Sequence, residues 1–113
     1  MRYRVINKNK EFLRVYGKGK AQVHPQVVVY VLKNRLGYTR VGFTATKKVG
    51  KAVKRNRARR VMRAALCQVM PYDVGSWDVI LVARAQTPGL KSTQLEKTLK
   101  KLLNRAGLLE KES

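Results

Sequence analysis

TRVGFTATKKVGKAVKRNRARRVMRAALCQVM, residues 39–70, changes its hydrophobic period partway along, and that change decides the fold. Over residues 39–46 apolar and polar side chains alternate, with Val41, Phe43 and Ala45 on one side, which predicts a strand with one buried face. From about Ala52 to Met70 the period becomes helical. Ala58, Val61, Met62, Ala65, Leu66 and Val69 form one stripe, and Asn56, Arg59, Arg60 and Arg63 take the opposite side. Pro71 is expected to stop this helix. Residues 77–84 (WDVILVAR) are apolar and β-branched, a further strand, so the centre of the chain reads β-α-β.

Upstream, residues 26–33 (QVVVYVLK), bounded by Pro25 and by Asn34 and Gly37, read as a strand, and residues 20–24 as a shorter one. Residues 8–16 (KNKEFLRVY) suit a short helix with Phe12 and Tyr16 one turn apart, ended by Gly17 and Gly19. Downstream, Thr93-Gln-Leu-Glu96 fits a capping box, and Leu95, Leu99, Leu102, Leu103 and Ala106 follow at helical spacing up to Gly107. The order α-β-β-β-α-β-α predicts an α/β (α+β) two-layer sandwich with a mixed sheet. No repeat or linker divides the 113 residues, which suit one domain, 1–113.

Charge is the second informative feature. Residues 47–63 hold nine Lys or Arg in seventeen positions and no acid, and no Asp or Glu stands between Glu11 and Asp73. A solvated surface normally mixes signs, so an unopposed cluster points to a polyanion as the missing counter-charge. At Lys51, Lys54, Arg55 and Arg57 the charge spreads round most of the helix, so this first turn must project from the domain rather than bury unpaired cations. It also opposes the positive end of the helix dipole, a penalty that an approaching phosphate reverses. Asn56, between two arginines, can donate to or accept from a sugar hydroxyl or a base edge.

Several classes are excluded. At 44% hydrophobic residues the chain folds despite its net charge of +20, and self-repulsion should make it more stable with a polyanion bound. Cys67 is the one cysteine, which removes disulfides and multi-cysteine zinc sites, and its helical context suggests burial. His24 beside Pro25 reads as a loop residue rather than a metal ligand. The N-terminal MRYRVINKNK lacks the apolar segment of a signal peptide, and no run suits a membrane span, so a cytoplasmic protein is expected.

The run KKVGKAVKRNRARRVMR resembles the signature of the bacterial ribonuclease P protein subunit family: a basic helix with an Arg-Asn-Arg triplet (Arg55, Asn56, Arg57) after a strand ending in Lys-Lys (Lys47, Lys48). The resemblance extends over nearly the whole chain, through Phe12 and Tyr16, Lys18 to Lys20, Tyr30, Arg40 to Gly42 and the Leu-rich last helix. It departs at Tyr16, where Phe is common, at Ala58, where a larger aliphatic is usual, and at His24-Pro25.

The resemblance implies a subunit that binds the catalytic RNA and the 5′ leader of precursor tRNA, and promotes removal of the leader to give the mature tRNA 5′ end. By position, Lys47, Lys48, Arg55, Asn56, Arg57, Arg59, Arg60 and Arg63 would meet the catalytic RNA, joined by Lys51 and Lys54 of the projecting turn. Phe12, Tyr16 and Tyr30 would line the leader cleft. Periodicity by itself favours core packing for these aromatics; the resemblance favours base stacking for Tyr16 and Tyr30 and leaves Phe12 between cleft and core. It further implies a monomer within the holoenzyme, Mg²⁺ held through the RNA subunit, no catalytic or metal-binding residue on the protein, and a left-handed β-α-β crossover. The competing readings are a small basic ribosomal protein, a metal-dependent nuclease, which needs clustered carboxylates, and a DNA-binding module, which needs paired helices.

Overall fold

A computed structural model of the chain describes residues 4–70 and 75–108. Its elements are β1 (Arg4–Val5), α1 (Asn9–Lys18), β2 (Lys20–Val23), β3 (Val27–Lys33), β4 (Arg40–Thr44), α2 (Ala52–Val69), β5 (Trp77–Ala83) and α3 (Ser92–Ala106), with 3-10 turns at Lys47–Val49 and Thr87–Gly89. The strands form one mixed sheet in the order β1-β4-β5-β3-β2. β4 runs parallel to β1 and β5, while β3 is antiparallel to β5 and β2.

Alternation along the strands separates two apolar faces. Val27, Val29, Val31, Val41, Val79 and Leu81 form the larger core with Ala58, Met62, Ala65 and Leu66 of α2 and Leu95, Leu99, Leu102 and Leu103 of α3. On the other face Ile80 packs with Ile6 and with Val15 of α1, flanked by Phe12, Tyr30, Leu32 and Val82. The main sandwich is therefore the sheet against α2 and α3. The short helix α1 covers only part of the second face.

The hand of the β4-α2-β5 crossover follows from chirality and two contacts. Val41 points to the α2 face, and its carbonyl accepts from the Ile6 N–H, so its backbone faces the β1 side. For an L-residue whose side chain points at the viewer on an upward strand, N–H and C=O point right. Seen from α2, β1 thus lies to the right of β4 and β5 to the left. A helix in front with its second strand to the left is a left-handed crossover, against the strong general preference. The form implied by the family resemblance is present.

Several boundaries differ from expectation. The two-residue β1 adds an edge strand too short to carry a periodic signal. α1 runs through Gly17 and ends at Gly19. A Cβ on Gly19 would lie 2.6 Å from the Val15 carbonyl oxygen and 2.7 Å from that of Val31, so this glycine lets α1 close on β3. α3 begins before the expected box: its N-cap is Lys91, whose N–H donates to Gln94 Oε1 at 2.9 Å, so Gln94 rather than Glu96 closes the turn. Lys47 and Lys48 stand in a 3-10 turn instead of at the end of β4, which stops at Thr44. Cys67 is half-buried rather than buried. Pro71 lies outside the described residues.

Candidate nucleic-acid interface

The N-terminal end of α2 stands clear of the core, as its encircling charge requires. Lys51 is an extended N-cap with no side-chain hydrogen bond to the helix, and the first turn holds no acid. Lys51, Lys54, Asn56, Arg57, Arg60 and Arg63 are exposed, and even Val53 is 69% exposed. Upstream, the Thr46 hydroxyl accepts from the Lys48 N–H at 3.4 Å and caps the turn that presents Lys47 and Lys48. Gly50, at φ 137°, redirects the chain into α2 through a conformation that side chains rarely allow.

Two members of the predicted set sit differently. Arg55 is half-buried, and its Nε is buried without a hydrogen-bond partner. Arg59 is half-buried and donates from Nη1 to Asn56 Oδ1 at 3.2 Å, an exposed contact one turn along the helix. Helical spacing puts both toward the flank of α2 rather than its outer side. Farther along, the Arg63 guanidinium carbon lies 5.6 Å from the centroid of Phe43, a cation–π contact that anchors its stem to β4.

On the opposite face Phe12, Tyr16 and Tyr30 do come together. The Tyr16 and Tyr30 rings meet edge-on at 4.9 Å, and Phe12 lies 6.3 Å from Tyr16. The Tyr16 hydroxyl is 3.4 Å from Thr44 Oγ1. Tyr16 is 36% exposed and Tyr30 half-buried, so both rings remain reachable. Phe12 is half-buried over Gly42, where a Cβ would meet its Cε1 at 2.7 Å. Phe12 therefore both closes the smaller core and floors the cleft.

The sequence reading missed the rest of this cleft. Beyond the aromatics the sheet face continues through Val28 and Val82 into an open cavity of about 550 Å³, whose lining includes Thr46, Lys48 and Arg84. Lys48 is thus common to the basic set and the cavity. Val28 and Val82 could have been found as the polar-facing parity of β3 and β5 that carries valine instead of a polar residue. His24 is a turn residue: its Nδ1 accepts from the Gln26 N–H at 3.1 Å.

Two of the acids are engaged by one arginine. Arg40 pairs with Glu11 of α1 and with the fully buried Asp78. The hydrogen bond to Asp78 raises the Arg40 pKa above its ordinary value, more than burial lowers it. Among the described residues no three of His, Cys, Asp and Glu converge. Nor is any helix among them long and apolar enough to cross a membrane.

Comparisons with known proteins agree with this geometry. The profile of the family described as Ribonuclease P matches residues 1–107. The ribonuclease P protein component of Dehalococcoides mccartyi strain CBDB1 is 37% identical over 106 residues, covering 94% of this chain and 87% of that protein. The one from Pelotomaculum thermopropionicum is 39% identical over 102 residues, covering 90% and 91%. The structure of the Staphylococcus aureus RNase P protein superposes with a TM-score of 0.80 at 31% identity, covering 94% of this chain and 97% of that one. The left-handed crossover, the projecting basic helix and these matches have one conclusion: the chain belongs to the bacterial ribonuclease P protein family.

Proposed function

We propose that the exposed N-terminal part of α2, with Lys47 and Lys48, docks on the catalytic RNA of ribonuclease P, while Phe12, Tyr16 and Tyr30 receive the 5′ leader of precursor tRNA. The observation that carries this reading is the unmatched charge of α2: an exposed first turn without acid or side-chain cap. Phosphate oxygens supply an acceptor and a counter-charge at once. The tyrosine rings offer π-faces on which unpaired bases stack without regard to sequence, as a variable leader requires.

On this reading the protein contributes binding and register, and the RNA carries the bond chemistry. Phosphodiester hydrolysis needs an activated nucleophile and stabilisation of the leaving oxygen, which Mg²⁺ held by the RNA subunit supplies. Neither acid nearest the cleft is available for that task, since Glu11 and Asp78 both bind Arg40. The cations instead screen repulsion between the two RNAs, so the complex forms with less Mg²⁺.

The test is reconstitution with a bacterial ribonuclease P RNA. The protein should restore cleavage of precursor tRNA at low Mg²⁺ and leave it intact when RNA-free. A protein that binds precursor and mature tRNA equally and restores no cleavage would be a general RNA-binding or ribosomal protein.

A further inference from the structure

Helix α1 has two edges of opposite chemistry. Phe12 and Tyr16 occupy the cleft edge. Lys10, Arg14 and Lys18, spaced four residues apart and all exposed, occupy the other. Lys10 and Arg14 line an open cavity of about 470 Å³ together with Arg35 from the β3–β4 connection. Lys18 lines a second open groove with Lys20 and Lys33. The acid in the first cavity, Glu11, is already bound to Arg40. Lys10, Arg14, Lys18 and Arg35 make no ion pair among the described residues.

This second basic edge is remote from the α2 cluster. It sits beside Arg40, where β4 begins, whereas Lys47 and Lys48 follow its end. Five residues of strand separate the two ends by about 13 Å, and α1 and α2 also pack on opposite faces of the sheet. An RNA gripped by α2 thus does not reach it directly. A strand lying against Phe12 and Tyr16, by contrast, needs only to cross α1. Four residues of helix advance about 6 Å, a step comparable to that between successive phosphates of a strand.

We infer that Lys10, Arg14, Lys18 and Arg35 form a second leader-binding track, which holds the sugar-phosphate backbone of the 5′-distal leader after it leaves the aromatic cleft. The inference rests on the cleft reading above and extends it. Contacts to phosphate carry no sequence information, so the track lengthens the footprint without narrowing the range of leaders.

The experiment uses reconstituted holoenzyme and two precursor tRNAs, one with a leader ending inside the cleft and one with a leader long enough to cross α1. The triple variant Lys10→Gln, Arg14→Gln, Lys18→Gln and the single variant Arg35→Gln are compared with Tyr16→Ala. The triple variant should bind the long-leader precursor roughly tenfold more weakly, with a salt slope lower by about 0.7 per lost phosphate contact. Arg35→Gln should show a smaller loss of the same kind. Short-leader precursor and free catalytic RNA should bind as before. Equal loss on both precursors, unchanged long-leader binding, or weakened catalytic-RNA binding would each overturn the inference. If Tyr16→Ala weakens long-leader binding while the basic variants do not, the cleft stands and the track falls. If neither does, the cleft reading itself falls.

Discussion

Arg40 grips Asp78 with two parallel hydrogen bonds, Nε to Oδ1 at 2.9 Å and Nη2 to Oδ2 at 2.7 Å, and the carboxylate is fully buried. The two residues are paired across β4 and β5, and Asn34 Nδ2 completes the set at 2.8 Å from Oδ1. Through Glu11 the same guanidinium reaches α1. Removing it would strand a buried carboxylate. Arg40→Ala should therefore destabilise the fold by about 3 kcal/mol, and Glu11→Gln, at a more exposed partner, by less than about 1 kcal/mol. Urea unfolding midpoints at constant slope measure both; equal effects would contradict the division.

Arg55 and Arg57 flank Asn56 but differ in setting, half-buried against exposed. Replacing either with Ala should weaken binding to the catalytic RNA by about 1–3 kcal/mol and lower the salt slope by about one unit per phosphate contact. Only Arg55→Ala also removes the unpartnered buried Nε. The free protein should then be no less stable than its parent, since Ala favours the helix. Filter binding across a salt series and thermal melting together check the pair, and an unchanged salt slope would mean that neither residue meets phosphate.

Tyr16→Ala and Tyr30→Ala should each reduce affinity for leader-bearing precursor by about 1–3 kcal/mol and leave mature tRNA unaffected. Tyr16→Phe keeps the ring and gives up only the 3.4 Å contact with Thr44, so it should bind nearly as the parent does. Competition between precursor and mature tRNA provides the readout. Parallel losses on both RNAs would point to misfolding.

Gly19 and Gly42 make a matched comparison. A Cβ on Gly19 meets two backbone carbonyl oxygens, which cannot yield without prising α1 from β3. A Cβ on Gly42 meets the Phe12 ring, which can tilt. Gly42→Ala should thus cost about 1–3 kcal/mol of stability and lower leader affinity by displacing Phe12, while Gly19→Ala should be the more damaging to stability. Denaturant titration of both variants checks the order.

β4 and the two long helices were legible from their period, and β3 and β5 from short β-branched runs that are apolar on both faces. Val41 and Phe43 alternate, and Met62, Leu66, Leu99 and Leu103 recur at helical spacing. The projection of the α2 N-terminus was legible from charge, since no core accepts cations on every side of a helix. What escaped depended on partners distant in sequence. Arg40 had no assigned partner until β4 placed it opposite Asp78, and the strand readings did not single out Val28 and Val82, which line an open cavity instead of lying under α1. Gly17 was read as a stop because glycine disfavours helices, yet α1 continues one residue beyond it, to where Gly19 packs on β3. The half-burial of Arg55 did have a signal that went unread: it stands three residues before Ala58 and seven before Met62, at the edge of the buried stripe.

Strand β4 is shared by both sides proposed to face RNA. Val41 belongs to the core under α2, and the next residue, Gly42, lies beneath Phe12 of α1. The two proposed RNA contacts are thereby tied to neighbouring residues across one thickness of sheet, with no hinge between them. The protein is in effect a rigid gauge set by a single strand. On the proposed reading, a leader seated on one side and a catalytic RNA on the other would be held at a fixed offset whatever the leader's sequence. One residue inserted into β4 would exchange the two faces beyond it, so on the proposed reading uniform placement of the cut would depend on the length of a five-residue strand.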